Sequence, residues 1–436
     1  MSRNQVLINT IWILCEKVLR LIAGVLVGLW VARYLGPDRF GVLSFGIAWV
    51  GLFAILATLG LPHVVSRELV AHPERAGEIL GTTGTLRLVG AIVAVILAVG
   101  VFGLSYGFSD HRTIVVLFVA ATPLLNTADF VEYWFRSRVE WRYVFRARVV
   151  SLAVSILLRV LFILSSRGLN WFAAVVVVEA ALASILLVWQ WVRHGEQQQP
   201  WRVSWPLARQ ILRDSLPTLV SGLAITVYMK IDQIMISTLL SDAQLGIYSV
   251  AVRISALWYV IPGALAQSVM PSIVTARQNR PEDYRRRLVR LIGVLFWLSV
   301  FAALAMMWFA PQIIRIALGE DYALAGSVLS VHFWAGVFVA IGVAVQQWYI
   351  AENRLVIDMY RTLAGAALNL ALNSVLIPRF GIQGAAVATV LSQFVAAYFS
   401  ASWFPSARTA WKLMNEGILY PLVWIIDRIG ESRRDN

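Results

Sequence analysis

Cys15-Glu16-Lys17-Val18-Leu19-Arg20 sits inside an apolar run that opens near Val6, and the run closes at Ala32-Arg33-Tyr34-Leu35-Gly36-Pro37-Asp38. A second apolar run begins at about Phe40. Helix, tight turn, helix is the reading that decides the fold. The first run, residues 6–32, exceeds the roughly 20 residues needed to cross a bilayer. Charges within such a span are costly, about 2.5–3.5 kcal/mol each on insertion scales. A helix that keeps Glu16, Lys17 and Arg20 is therefore expected to turn them away from lipid, toward a polar cavity built by the rest of the chain.

Composition extends this outward. The 436 residues are 59% hydrophobic and 14% charged, where a soluble domain carries about 25% charged residues. The chain is thus expected to be an all-α integral membrane protein. Cys15 is the one cysteine, which excludes an intrachain disulfide. The first run is too long for a signal-peptide core and lacks a small-residue cleavage site, so it reads as a permanent span.

Twelve apolar runs are long enough to cross: 6–32, 40–62, 81–104, 113–134, 148–165, 170–192, 211–238, 245–273, 288–310, 325–350, 356–377 and 382–404. They do not alternate every second residue, as barrel strands would. Backbone polar groups in hydrocarbon must bond within the segment, so helix is the expected conformation.

Basic residues set the orientation. With the N-terminus in the cytoplasm, 25 of the 37 Lys and Arg residues fall in inside segments or in the span ends that adjoin them, 6 fall outside and 6 lie deeper within spans. That asymmetry follows the positive-inside rule and predicts both termini in the cytoplasm. It also accounts for the net charge of +13 without invoking nucleic acid.

The longest hydrophilic connection, about His194–Arg209, lies at the chain's midpoint. It predicts an N-terminal six-helix lobe (1–195), a cytoplasmic linker (196–210), a C-terminal six-helix lobe (211–405) and a cytoplasmic tail (406–436). A repeat agrees. Leu35, Gly41 and Ser44 match Leu240, Gly246 and Ser249 at a constant offset of 205. An even number of spans per lobe makes these parallel repeats about a pseudo-two-fold axis, with a central cavity between the lobes. In the tail, Trp411–Ile429 is apolar but interrupted by Gly417 and Pro421, which predicts an interfacial helix.

The run Ala32-Arg33-Tyr34-Leu35-Gly36-Pro37-Asp38-Arg39-Phe40-Gly41, continued by Gly60-Leu61 and Arg67-Glu68, resembles the opening signature of Wzx-type polysaccharide-unit flippases. These belong to the multidrug/oligosaccharidyl-lipid/polysaccharide exporter superfamily. The second half is similar too: Asp232-Gln233-Ile234-Met235, Gly246-Ile247-Tyr248, Ala251 with Arg253, Pro262 and Met270-Pro271-Ser272. The resemblance covers all twelve runs and leaves out the C-terminal 30 residues or so. It implies a carrier, not an enzyme, that moves a polyprenyl-diphosphate-linked oligosaccharide across a bacterial inner membrane. Alternating access of two lobes, coupled to an ion gradient or the membrane potential, is the implied mechanism. Membrane lipids and a polysaccharide polymerase machinery are the implied partners, and the chain is expected to act as a monomer. In related lipid II flippases basic side chains on the first and eighth helices meet the diphosphate. By helix and depth this points to Arg20 and Arg253, with Lys17 beside Arg20.

Each charged position also has a plainer reading. Glu16 and Arg20 are one turn apart and can neutralise each other. Asp232 and Arg253 lie at similar depth on consecutive spans, as a structural salt bridge or as a gate that couples to a cation. Lys230 stands beside Asp232 in sequence but on another helix face. Arg159 and Glu179 are matched in depth as a structural pair. Arg87, Asp129, Glu132 and Asp358 are placed near helix ends, where they can reach solvent. His63 and His332 have no partners at metal-ligand spacing, and no cofactor motif is present. Two further functions compete: a cation-coupled multidrug exporter of the same superfamily, and a membrane-embedded glycan polymerase or glycosyltransferase. The basic set within the spans disfavours the first. Short outside turns with no acidic catalytic motif disfavour the second.

Overall fold

The computed structural model describes residues 3–195, 200–279 and 281–432. Its main elements are α-helices: α1 (Arg3–Thr58), α2 (Leu61–Ala71), α3 (Ala76–Tyr106), α4 (Thr113–Ala120), α5 (Thr122–Leu125), α6 (Phe130–Ser137), α7 (Trp141–Leu164), α8 (Leu169–His194), α9 (Trp205–Leu239), α10 (Asp242–Trp258), α11 (Val260–Asn279), α12 (Pro281–Leu318), α13 (Ala323–His332), α14 (Ala335–Ala351), α15 (Leu355–Phe394), α16 (Ser400–Trp403) and α17 (Arg408–Ser432). No strand occurs among the described residues.

A straight α1 of 56 residues would measure about 84 Å at 1.5 Å per residue, far more than a hydrocarbon core of about 30 Å. It is not straight. Gly36 takes φ 74° and ψ 168°, outside the helical region. That conformation is open to a residue without Cβ, and the fixed φ of Pro37 then suits the first turn of the next helix. The predicted turn at Leu35–Asp38 thus divides α1 into two legs. Gly381, at φ 61°, bends α15 in the same way.

Nine stretches among the described residues are long and apolar enough to cross a membrane, and a tenth is the pair Glu320–His332 and Ala335–Ala351, bent by 40°. The difference from twelve runs sits at the two bends. Ile11–Ala71 holds two of the runs, and Val356–Trp403 holds two more. Large apolar side chains such as Leu104, Ile96 and Leu164 face outward, as expected where lipid is the solvent.

Contacts divide the chain into two compact units. The first runs through Ser237 and takes in Ser241–Gly246. Its core includes Leu61, Val65, Ile79, Phe135, Val144, Leu187 and Ile211, from α2, α3, α6, α7, α8 and α9. Phe45, Trp49, Phe102 and Tyr106 join the second leg of α1 to α3. The Trp49 indole donates to the Ala98 carbonyl at 2.8 Å, satisfying its one polar atom.

The second unit comprises Thr238–Leu240 and the chain from Ile247 onward. Its core is drawn chiefly from α12, α14 and α17, with Leu288, Ile292, Leu295, Ile341, Val345 and Met414 buried. Here Gly417 is no interruption, because α17 is one continuous helix. Gly417 lets α17 approach α12: a Cβ on Gly293 would stand 2.6 Å from the Gly417 carbonyl oxygen. Trp297 donates to the Ile418 carbonyl at 2.9 Å along the same contact.

Candidate functional site

Two polar assemblies in the first unit stand out against its apolar surroundings. One lies toward the end of the helices that carries the basic loops. The other lies at the opposite end, beside the turn at Gly36.

The first begins with Glu16, which accepts from Arg20 Nε at 3.1 Å. The Glu16 side chain is 12% exposed and that of Arg20 40%. Glu16 is near enough to Glu132 and Arg148 for its charge to act on both. Asp129 and Glu132 are three residues apart and share one side of the chain. Arg148, from α7, bonds both, at 2.8 Å to Asp129 and closely to Glu132. From α3, Arg87 donates to the Tyr133 hydroxyl and to the Asn126 carbonyl, each at 2.8 Å, and lies 3.8 Å from Asp129. The sequence reading sends Arg87, Asp129 and Glu132 toward solvent. The structure corrects this, since Arg87 is only 4% exposed. The physical reason is the neighbour: Arg148 brings a guanidinium to the two carboxylates from an adjacent helix, and hydropathy along one helix carries no trace of it.

The second assembly forms where α9 passes into α10. A Cβ on Gly41 would stand 1.7 Å from the carbonyl oxygen of Asp242, and a Cβ on Gly246 would stand 2.0 Å from that of Pro37. Gly41 and Gly246 are 205 residues apart, and so are Pro37 and Asp242. The contact is therefore reciprocal: each glycine meets the carbonyl four residues before the other. Only glycine permits backbones this close.

Asp110-His111-Arg112, between α3 and α4, clasps that seam. Arg112 holds Asp110 through Nε at 2.8 Å and Nη2 at 2.7 Å, and donates from Nη1 to Ser237 Oγ at 3.0 Å. Its guanidinium lies 4.5 Å from the ring centres of both Phe45 and Tyr106. Ser237 donates to one oxygen of Asp242, and His111 Nε2 is 2.7 Å from the other. Hydrogen bonding from Arg112 holds the Asp110 carboxyl below the usual carboxylate range. Sequence reasoning passes over this clasp. The signal for it is three successive polar side chains in one short turn of a largely apolar chain.

The other predicted positions are placed as follows. Lys17 is exposed on α1. Asp232 is 4% exposed on α9, and one of its oxygens accepts the Gln233 N–H at 2.7 Å. Lys230 is half-buried, with its Cε 3.9 Å from where a Gly51 Cβ would be. Arg253, in the second unit, is half-buried on α10. Arg159 and Glu179 pair at 3.1 Å, as the sequence predicts. His332 is buried with Nδ1 2.8 Å from Ser255 Oγ, and no group of three metal-ligating side chains forms among the described residues.

In the second unit Asp358 is also not solvated as expected. It bonds the buried Arg361, whose guanidinium lies 5.1 Å from the Tyr349 ring centre. Further along α15, Asn373 donates to Asn369 at 2.9 Å with both side chains buried.

Comparison with known proteins bears on this architecture. Residues 6–276 match the family described as polysaccharide biosynthesis protein, and residues 217–375 match the MatE family. A probable low-salt glycan biosynthesis flippase of Haloferax volcanii, Agl15, is 26% identical over 368 residues, covering 83% of this chain and 75% of that protein. A putative O-antigen transporter of Shigella flexneri is 22% identical, covering 82% of this chain and 87% of that protein. The inward-facing conformation of a multidrug resistance MATE transporter of the MOP superfamily aligns with a TM-score of 0.72 at 16% identity, covering 91% of this chain and 95% of that one. Lipid II flippase MurJ, in an inward closed conformation, aligns with a TM-score of 0.70 at 15% identity, covering 97% and 93%. These structural likenesses establish the fold, and the family match spans more than half of the chain. The chain belongs to the polysaccharide biosynthesis protein family.

Proposed function

We propose that this multi-pass membrane protein flips polyprenyl-diphosphate-linked oligosaccharide repeat units from the cytoplasmic to the outer leaflet of a bacterial inner membrane. The observation that carries the reading is the family match over residues 6–276, joined by relatives named as a flippase and as an O-antigen transporter. Those relatives are carriers, and no covalent change to the substrate is part of the proposal. Two six-helix lobes, 1–195 and 211–405, related as parallel repeats about a central cavity, would alternate access, driven by an ion gradient or the membrane potential. The linker at 196–210, the tail at 406–436 and both termini would be cytoplasmic. The reciprocal fit of Gly41 and Gly246 supports the repeat and suits a seal on the outer face.

Arg20, Lys17 and Arg253 are the proposed contacts to the diphosphate. Arg20 spends Nε on Glu16, which leaves the Nη fork as the face that suits a phosphate. Glu16, Asp232 and Lys230 are the proposed gating or ion-coupling set, in which the Asp232 carboxylate releases or holds a cation as the lobes exchange. The protein would act as a monomer alongside the polysaccharide polymerase machinery. A second reading, a cation-coupled multidrug exporter, is favoured by the MatE match and the MATE neighbour.

Gene deletion with complementation separates the two. Loss of surface glycan with a build-up of lipid-linked single repeat units supports the flippase. Normal glycan with raised sensitivity to cationic compounds supports the exporter. In the flippase, one charge-assisted bond is worth about 1.5–3 kcal/mol, so Arg20→Ala is expected to lower transport about tenfold or more, and Arg20→Glu further. Intact transport in both variants would remove Arg20 from the mechanism.

A further inference from the structure

The described part of the expected linker, from residue 200 on, is not slack. The Arg202 N–H reaches the Gly77 carbonyl at 3.4 Å, and the Ser204 N–H donates to Thr82 Oγ1 at 3.0 Å. A Cβ on Gly81 would stand 2.7 Å from the Arg202 carbonyl oxygen, so linker and α3 meet backbone to backbone. Trp201 packs on Phe130 and Trp191, with ring centres 5.3 Å and 5.0 Å away. The first turns of α9 continue the attachment. Leu207, Ala208 and Ile211 are buried in the core of the first unit, and Asp214 accepts from Arg67 of α2 at 2.8 Å. Residues 200–216 thus form a base fixed to α2, α3 and α6 rather than a tether.

Pro217 follows at once, inside α9. It has no N–H to give the Arg213 carbonyl, and its ring crowds that carbonyl, so α9 bends most readily here. Gly60 marks the place from the other side. It takes a φ of 68°, and a Cβ on it would stand 2.8 Å from the Ser215 carbonyl oxygen and 2.7 Å from the Leu219 nitrogen, one on each side of Pro217. Beyond Pro217 the packing thins. Among the described residues from 216 to 231, Ala224 alone is buried, whereas Asp232, Gln233, Ile234, Ile236 and Ser237 are buried at the far end. There Ser237 Oγ accepts from Arg112 at 3.0 Å. α9 therefore has a fixed base, a weak point, a loosely packed arm and a catch at its tip.

We infer that Pro217 is the pivot of the outer gate: the arm, residues 218–237, swings away from the second leg of α1 when the clasp at Ser237 and Asp242 lets go, while the base, residues 200–216, stays with the first lobe. Rigid rocking of lobes 1–195 and 211–405 would instead place the pivot in the linker at 196–210. The inference deepens the alternating-access reading and rests on it only for the sense of the motion. Distances between spin labels are read without substrate. A failure to restore surface glycan therefore leaves the pivot standing, and a failed pivot leaves the flippase standing.

The test uses the full chain in lipid nanodiscs, with Cys15→Ser removing the native thiol and pairs of nitroxide labels read by double electron–electron resonance. One pair, Leu157→Cys/Arg209→Cys, spans from α7 to the base, and the other, Leu157→Cys/Met229→Cys, spans from α7 to the arm. All three side chains are exposed. Gly41→Ala forces the outer seam apart. Met229 lies 12 residues beyond Pro217. That is about 18 Å of helix, so a bend of about 20° moves Met229 by about 6 Å. Gly41→Ala is expected to shift the arm distance by about that much and to leave the base distance unchanged, and adding Pro217→Ala, which stiffens the helix, is expected to remove the shift. Equal shifts in both distances would overturn the pivot and return it to the linker. No shift in either distance, or a shift that survives Pro217→Ala, would overturn it as well. Should Gly41→Ala fail to fold, Arg112→Gln releases the catch at Ser237 from the other side and is read in the same way.

Discussion

Gly41→Ala puts one methyl group into the seam where the turn before α10 meets the second leg of α1. That methyl would stand 1.7 Å from the Asp242 carbonyl oxygen, where a comfortable contact is about 3.5 Å, so the backbones must part by about 1.8 Å. Neither wall can yield by a rotamer change, because both are main chain. Overpacking in a closed contact costs about 1–3 kcal/mol, and each 1.4 kcal/mol is a tenfold change in population. Conformers with the seam shut should therefore lose about 5- to 150-fold in weight relative to those with it open. The assay starts from a Cys15→Ser background and places a single cysteine by Ser44→Cys, a near-isosteric change at a buried position one turn beyond Gly41. Labelling by a membrane-impermeant maleimide in intact cells should be slow with Gly41 present and at least about fivefold faster with Gly41→Ala, by the same overpacking estimate. Gly246→Ala should behave alike, its methyl facing the Pro37 carbonyl at 2.0 Å. Gly24→Ala is the control, since nothing lies within 4 Å of its added methyl. Unchanged labelling in both seam variants would mean that the close approach does not control access at this end, and the seal would have to be sought elsewhere.

Three other outcomes follow from the same packing. Arg148→Gln leaves Asp129 and Glu132 facing each other, and one-sided loss of a buried ion pair costs about 3–5 kcal/mol; the thermal midpoint in detergent should fall, and Arg148→Gln/Glu132→Gln should recover part of it, while an unchanged midpoint in the single variant would remove the network from the stability account. Arg112 holds the Asp110 pKa below its ordinary value, so the stabilisation is full above about pH 4 and is lost as pH falls through the lower folded-state value. The gap in thermal midpoint between the wild type and Asp110→Asn should thus hold constant from pH 7 to pH 5 and shrink only in stronger acid; a gap that closes near neutrality would contradict the assignment. Gly417→Val adds bulk where a Cβ already stands 2.6 Å from Ile292 Cγ2; α17 should loosen from α12 and be released sooner by trypsin, and an unchanged digestion rate would count against the close contact.

The parts legible from sequence are those fixed by local chemistry. Gly36-Pro37 announces a turn because only those residues suit its backbone, and the structure bends α1 there. Glu16 and Arg20 pair because four residues make one turn of helix. Arg159 and Glu179 could be matched because two consecutive helices joined by a short turn share a depth scale. What could not be read depends on which faces meet. Arg87, Asp129, Glu132 and Arg148 come from three separate stretches, and each alone resembles a residue reaching for water. His111 and Asp242 are 131 positions apart. Gly41 and Gly246 stand at the offset of 205 that the sequence reading takes as a repeat, yet that offset gave no sign that the two glycines touch.

That touch has a historical reading. A contact in which each member meets the same atom of its counterpart is the self-complementary contact of a two-fold dimer, here made within one polypeptide. In a dimer of half-length chains a single codon would specify both glycines, and any change there would be felt twice. Were such halves joined into one chain, the two codons could drift apart, and the residues four before each glycine, Pro37 and Asp242, do differ. The glycines differ from those neighbours in having no substitute: replacing one alone is enough to force the other's backbone away.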